Sequence, residues 1–275
     1  MKAIVLHSIV PLRAEAAEES EQLTQLLFGE PCEITDSCPR WKKVKSDLDG
    51  QEGWVDFKMI SPMTDEEYTR YSKAWQETTA RVLYPMAYAM SENNGQTIPL
   101  TAGTRLPDYK NGEFDVMGVK FRIQAEMVAP QPLEMNAQNV MQVTRFMLNI
   151  PYLWGGKNAM GIDCSGFTQT VHTLFGHNLL RNAREQITQG TAVASLADAQ
   201  AGDLVFFDHH DGKISHVGLL LDQEHVIHSS GRVKVEMIDG EGIISQEPSA
   251  AEDTHATKTN DGRYYTHHLV AIHRY

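Results

Sequence analysis

Along residues 1–60 short apolar runs alternate with turn-forming clusters, and the pattern predicts strands over 3–10, 23–28, 32–35, 41–45 and 53–57. Gly29-Glu30-Pro31, residues 36–40 and residues 47–53 supply the turns between them. So many short strands in so short a stretch predict a small all-β barrel. The pattern then changes. Thr64-Asp65-Glu66-Glu67 reads as a capping box, and Tyr68, Tyr71 and Trp75 recur at helical spacing behind it. A connecting helix over 61–80 is expected, its aromatic face acting as glue between domains. Residues 81–130 return to β character, with strands expected over 81–90, 98–100, 105–109, 113–116 and 119–123. Asn93-Asn94-Gly95 and Asn111-Gly112 mark hairpin turns, and Pro130 and Pro132 mark a boundary.

From Leu133 the period is helical: Leu133, Ala137, Val140 or Met141, and Met147 or Leu148 share one face. A second helix is expected from Cys164 to about Leu174, and a third over 184–189. Apolar β runs follow at 203–207, 217–221, 226–229, 233–238 and 269–273. Helices first and an antiparallel sheet second predict an α+β domain. Residues 241–263 are polar and rich in Gly, Asp and Thr, and read as a surface loop. The expected domains are therefore 1–60, a connecting helix at 61–80, 81–130 and 131–275.

Composition narrows the function. The chain has 275 residues, 41% hydrophobic and 22% charged, an ordinary globular balance. A net charge of -12 disfavours a nucleic-acid backbone or an anionic membrane as partner. Lys2 and residues 3–6 resemble the start of a secretory leader, but His7, Ser8 and Pro11 interrupt the apolar run, which reads better as a first strand. No stretch reaches the roughly 18 apolar residues of a membrane span. A cytoplasmic location is expected; a cleaved leader would move it to the periplasm or outside the cell. Three Cys make no disulfide framework, and Cys32 and Cys38 are compatible with a pair or with two separate thiols. His209-His210-Asp211 lacks a partner cluster, so no metal and no organic cofactor is expected.

One stretch carries chemistry: Tyr152-Leu153-Trp154-Gly155-Gly156, then Asp163-Cys164-Ser165-Gly166-Phe167. Asp163 reads as a helix N-cap, which puts Cys164 in the first turn, where the macrodipole favours thiolate. Among 12 His, His216 in Ser215-His216-Val217-Gly218 and His228 in Ile227-His228-Ser229-Ser230 lie on strand-like segments downstream. Nucleophile, base and orienting group in that order follow the logic of cysteine catalysis.

Together these four motifs resemble the NlpC-type cell-wall peptidases, a papain-like family, over roughly residues 133–275. The upstream organisation is similar to the YkfC-like branch. Residues 25–30 and Gly53-Trp54-Val55 resemble bacterial SH3-like domains, and 81–130 looks like a second one. The resemblance implies a cysteine endopeptidase cutting between D-glutamate and a diamino acid in peptidoglycan-derived peptides with a free N-terminal L-alanine. It implies Cys164 as nucleophile, His216 as base, His228 as orienting group and the Tyr152 hydroxyl as an oxyanion contact. It also implies amine binding by Asp163 and Ser165, with Glu21 and Trp54 at the positions of the first barrel's contacts. At Leu180, Asn182 and Ala183 the chain departs from the family's Pro and Asp/Thr-Ser pattern, leaving Asn182 as an acceptor without charge. A monomer is expected. The rival readings are a hydrolase of intact wall anchored by the barrels, a non-catalytic wall-peptide-binding protein, and a thiol acyltransferase.

Overall fold

Strand β1 (Lys2–Val5) and strand β2 (Ile9–Arg13) divide the first predicted strand, because the chain turns at His7-Ser8. The two strands then join different neighbours. The structure, a computed structural model, describes residues 1–259 and 261–275. With β3 (Gln22–Leu27), β4 (Pro31–Ser37), β5 (Trp41–Ser46), β6 (Glu52–Asp56) and β7 (Ile60–Met63), the first sheet runs β3-β2-β6-β5-β4-β1-β7. Alternation along these strands buries Ala3, Val5, Val10, Leu12, Leu26, Val44 and Val55 in one core. Gly53 is required where β6 meets β2, since a Cβ there would lie 2.7 Å from the Arg13 carbonyl oxygen. Cys32 is buried and Cys38 partly so, and both are free thiols.

Helix α1 (Asp65–Glu77) starts where the capping box places it, with Thr64 Oγ1 accepting from Glu67 N at 3.2 Å. Its aromatic face joins a core shared by Ile4, Phe28, Tyr71, Trp75, Leu106, Phe114 and Val116. The helix is thus built into the β layers on either side of it. Truncating Trp75 to alanine would cost about 3–5 kcal/mol on the general scale for large buried aromatics. β8 (Arg81–Val82), β9 (Ala87–Ser91), β10 (Thr97–Leu100), β11 (Glu113–Val116), β12 (Val119–Ile123) and β13 (Val128–Ala129) follow. They form a four-stranded sheet, β10-β9-β12-β11, and a β8–β13 pair. The strand expected over 105–109 does not form: Pro107 has no N–H to give a ladder, and Asp108 sits at φ 54°.

The chain divides into two compact units, one comprising Met1–Leu133, Leu153–Gly161 and Thr170–Asn178, the other Glu134–Tyr152, Ile162–Gln169 and Leu179–Tyr275. In the first, β3 grips the segment at 153–161. Gln25 Oε1 accepts from Lys157 N and from Asn158 Nδ2, both at 2.8 Å, and Gln22 Nε2 donates to the Trp154 carbonyl at 3.1 Å. Gly155, at φ 72°, comes so close to the Gln22 backbone that a Cβ would overlap it.

The second unit begins with α2 (Ala137–Thr144). β14 (Lys157–Asn158) and β15 (Gly161–Ile162) precede α3 (Cys164–Leu174), and α4 (Ala183–Gln186) is a single capped turn. β16 (Thr191–Val193), β17 (Leu204–Asp208), β18 (His216–Leu220), β19 (His225–Ser230), β20 (Arg232–Ile238), β21 (Gly242–Ser245), β22 (Thr257–Lys258) and β23 (Tyr264–Arg274) form one antiparallel sheet. β21 returns to pair with β23, so the path from β17 through β21 to β23 closes on itself. Val205, Phe207, Leu220, Val226, Ile238, Ile243 and Ile272 fill its core. Asp203 anchors the start of β17 to the end of β23 through a two-pronged contact with Arg274 at 2.6 and 2.8 Å. The polar segment 241–263 is more ordered than a surface loop, because it holds β21 and β22; residue 260 lies outside the described residues. β23 is also longer than its apolar run, because its first half pairs through backbone groups that the polar sequence Tyr264-Tyr265-Thr266-His267-His268 does not advertise.

Candidate active site

Asp163 precedes the first turn of α3, and its Oδ1 accepts from Gly166 N at 2.7 Å. This N-cap sets the helix direction and places Cys164 at the first helical position. The carboxylate has a second engagement. Arg181, buried beside it, donates to both oxygens at 2.9 and 2.6 Å and to Ser165 Oγ at 2.9 Å. Asp163 and Ser165, implied as amine contacts, are thus joined in a buried ion-pair cluster that neutralises the carboxylate. Arg181 was not singled out from the sequence. Asn182 N-caps α4, with Glu185 Oε2 accepting from its N at 3.1 Å and its Nδ2 at 2.8 Å.

His216 opens β18 and His228 lies on β19, its neighbour in the sheet. His216 Nε2 and His228 Nδ1 are 2.8 Å apart, with ring planes at 85°. The backbone N–H groups of Val217, next to His216, and of Ser165 lie near enough to Cys164 Sγ to favour its thiolate form. The sheet therefore brings the thiol to the start of β18. Tyr152 is held in place by its N–H donating to the Gly231 carbonyl at 2.9 Å, and its phenol lies within electrostatic reach of Cys164 and Asp163. Burial, foremost, pushes that phenol well above its ordinary range, so it stays a hydrogen-bond donor.

Two further side chains complete this arrangement. Glu236 on β20 meets His228 Nε2 at 2.9 Å, and His267 on β23 lies against the face of His216 with ring centroids 4.2 Å apart. Glu236 had a local signal. A hairpin turning at Gly231 places Ser230 opposite Arg232, His228 opposite Lys234 and Val226 opposite Glu236. Glu236 is then the diagonal neighbour of His228 on the same face. His267 had none, because only the closure of β23 onto β17 and β21 brings it there.

Electrostatics reverse one expectation. Burial, the largest influence, pushes the Cys164 thiol up to about 12, and the Asp163 charge adds to it; the Val217 N–H and the Arg181 charge work the other way. A helix terminus contributes about 0.3–2 kcal/mol. Full burial can shift a group by up to about 3–5 pKa units, or about 4–7 kcal/mol. Burial wins, and the Cys164 side chain rests as a thiol. Burial likewise lowers His216 well below its ordinary value, with the neighbouring His267 and His228 adding to the shift. Thiol and imidazole are both neutral at rest.

Burial also lowers His228, and it lowers His267 to about 3. Unfolded imidazoles bind protons below about pH 6.5, and these folded ones do not. The unfolded state therefore holds more protons as pH falls, and stability is lost from about pH 6.5 down through the folded values. Each histidine contributes up to about 1.4 kcal/mol per pH unit. Glu236 ends at about 2 despite burial, which raises it, because the His228 hydrogen bond dominates the remaining influences. Its stabilisation is lost only below the ordinary carboxylate range, as pH falls toward its folded value. The calorimetric melting temperature of this unit is expected to drop between pH 7 and pH 5; an unchanged one would show that these rings accept protons in place.

The remaining expectations fall in the first unit. Glu21, exposed before β3, accepts from Trp154 Nε1 at 2.7 Å. Trp54 is half-buried on β6, opposite Arg13 and Lys43. Among the described residues no group of three or more His, Cys, Asp and Glu side chains is arranged to hold a metal ion, and no helix is long and apolar enough to cross a membrane.

A thiol at a helix start, an imidazole beside it and a second imidazole behind that define a cysteine-peptidase site. Comparison with known proteins agrees. The NlpC/P60 family model matches residues 149–273, and the bacterial dipeptidyl-peptidase Sh3 domain matches residues 12–58. A gamma-D-glutamyl-L-lysine dipeptidyl-peptidase of Bacillus subtilis is 32% identical over 75% of this chain and 71% of its own length. Dipeptidyl-peptidase 6 of Lysinibacillus sphaericus is 33% identical over 96% of this chain and all of its own. A solved NlpC/P60 family protein from Bacillus cereus superposes with a TM-score of 0.76 at 21% identity, covering 100% of this chain and 99% of that one, and shows the shared fold. The chain belongs to the NlpC/P60 family. It is a cysteine peptidase with an N-terminal SH3-like domain and a C-terminal papain-like α+β domain.

Proposed function

We propose that the chain hydrolyses the γ-D-glutamyl-L-diamino-acid bond of peptidoglycan-derived peptides that carry a free N-terminal L-alanine. The observation that carries the chemistry is the placement of Cys164 Sγ near the Val217 N–H, next to an imidazole already bonded to His228. The substrate class is supported by the likeness to the Bacillus subtilis gamma-D-glutamyl-L-lysine dipeptidyl-peptidase.

In this reading Sγ attacks the γ-carbonyl carbon of D-glutamate while His216 takes the thiol proton. The oxyanion meets the Tyr152 hydroxyl and the Cys164 N–H, one of the first-turn donors that an α-helix leaves unpaired. His216 then protonates the departing amine, leaving a thioester. Water adds to the thioester as His216 accepts its proton, and the thiolate leaves with that proton restored. His228 holds the ring of His216 throughout. By resemblance Asp163 and Ser165 contact the substrate ammonium and Glu21 supplies a further acidic contact, with Asp163 already matched by Arg181. The same reading takes residues 81–130 as a second SH3-like domain and the substrate as a released peptide in the cytoplasm.

The test is mass spectrometry of L-Ala-γ-D-Glu-L-Lys incubated with the enzyme, beside its N-acetylated form and whole sacculi. Cleavage of the free-amine peptide alone, weakened mainly in KM by Glu21→Gln, is expected. Equal cleavage of both peptides would remove the amine requirement, and release from sacculi alone would replace this reading with intact-wall hydrolysis.

A further inference from the structure

We propose that Glu236 is a positioning residue that dictates which nitrogen His216 offers to Cys164. The inference rests on the cysteine-peptidase reading above, in which His216 is the base.

The argument is one of donor and acceptor parity. An ionised carboxylate only accepts hydrogen bonds, so the 2.9 Å contact from His228 to Glu236 requires the proton on His228 Nε2. A neutral imidazole has one N–H, which leaves His228 Nδ1 bare. The 2.8 Å contact at that atom must then be donated by His216 Nε2. His216 is left with a bare Nδ1, the lone pair that can receive the thiol proton. Reverse the first bond and the series inverts: His228 Nδ1 becomes the donor, His216 Nε2 the acceptor, and His216 Nδ1 carries hydrogen and cannot act as base. A choice made at Glu236 is thus transmitted through two rings to the reacting atom.

Glu236 is placed to make that choice firmly. His228 is fully buried and the Glu236 side chain nearly so, so water does not compete for the bond. Lys234 lies 3.1 Å from Glu236 Oε2 and 2.9 Å from Glu247, which in turn pairs with Arg232 at 2.8 Å. The lysine charge keeps the carboxylate ionised and therefore an acceptor. On the other side His267 covers the face of His216, restricting rotation of the ring. The ionisable groups facing the pair are thus Lys234 and Glu247 around the carboxylate, with His267 and His209 beside His216. Glu236 itself bonds directly to His228 Nε2.

The test reads tautomers directly, by nitrogen-15 NMR of the histidine rings in the full-length, substrate-free enzyme at neutral pH. Protonated Nε2 and bare Nδ1 are expected for both His216 and His228. In Glu236→Gln the amide oxygen can still accept the bond, so both tautomers are expected to persist, with kcat down less than about tenfold. In Glu236→Met the acceptor is gone: His228 is expected to populate the Nδ1–H form and kcat to fall about 100-fold with KM nearly unchanged. A bare Nε2 on His228 in the wild type would overturn the proposal, whether or not the methionine variant folds. So would a methionine variant with wild-type tautomers and kcat. Because the spectra need no turnover, a wild type that failed to cleave the peptide would count against the proposed function and leave this assignment separately decided.

Discussion

Cys164→Ala is expected to lower kcat/KM for the substrate peptide by at least about 10⁴-fold while leaving the unfolding midpoint nearly unchanged. Removing a nucleophile abolishes the covalent path, and losses of this order accompany the loss of such a group elsewhere. The structural cost is small because only one sulfur atom is removed. A second measurement tests how the nucleophile is activated. With the thiol pushed up to about 12 and His216 held low, the resting pair is neutral. In the proposed mechanism the proton then moves to His216 as the bond to carbon forms. Alkylation of Cys164 by iodoacetamide is then expected to rise steadily from pH 6 to pH 10. A rate already on a plateau at pH 6 would reveal a preformed thiolate–imidazolium pair, and burial would have been given too much weight.

Arg181→Met should destabilise the second unit by about 3–5 kcal/mol, the usual cost of removing one partner from a buried ion pair. Asp163 would keep its bonds from Gly166 N and Ser165 Oγ but lose two from Arg181, and Ser165 Oγ would lose one. A buried carboxylate that has lost its countercharge is expensive, and this one also caps the helix that carries Cys164. Adding Asp163→Asn to Arg181→Met should recover part of the loss, because the asparagine can still cap and no charge remains uncompensated. Urea unfolding of the single and double variants measures this. If the double variant is less stable than Arg181→Met alone, the lone carboxylate carries no net penalty there and its capping bond outweighs the cost of its burial.

The local signals were those with a short physical range. The capping box at Thr64 and the N-cap at Asp163 act within four residues, and their helices start where those side chains place them. Continuous apolar runs marked β17 and β18, which are buried on both faces. Splitting of the first strand at His7-Ser8 was hidden, because its two halves are equally apolar and differ only in their partners. The strand expected at 105–109 failed at Pro107 and Asp108, where backbone constraints override side-chain propensity.

By itself the sequence determined the chemical alphabet and its order: a cysteine behind an N-cap, then two strand-borne histidines, after an all-β first half. Those features depend on neighbours along the chain or on motifs quoted whole. Only tertiary structure decided how that alphabet is used. Burial outweighs the helix terminus and keeps Cys164 a thiol, Arg181 claims the carboxylate of Asp163, and the return of β23 sets His267 on His216. Desolvation, ion pairing and ring stacking depend on which groups enclose a residue, and residues far apart in the chain supply them.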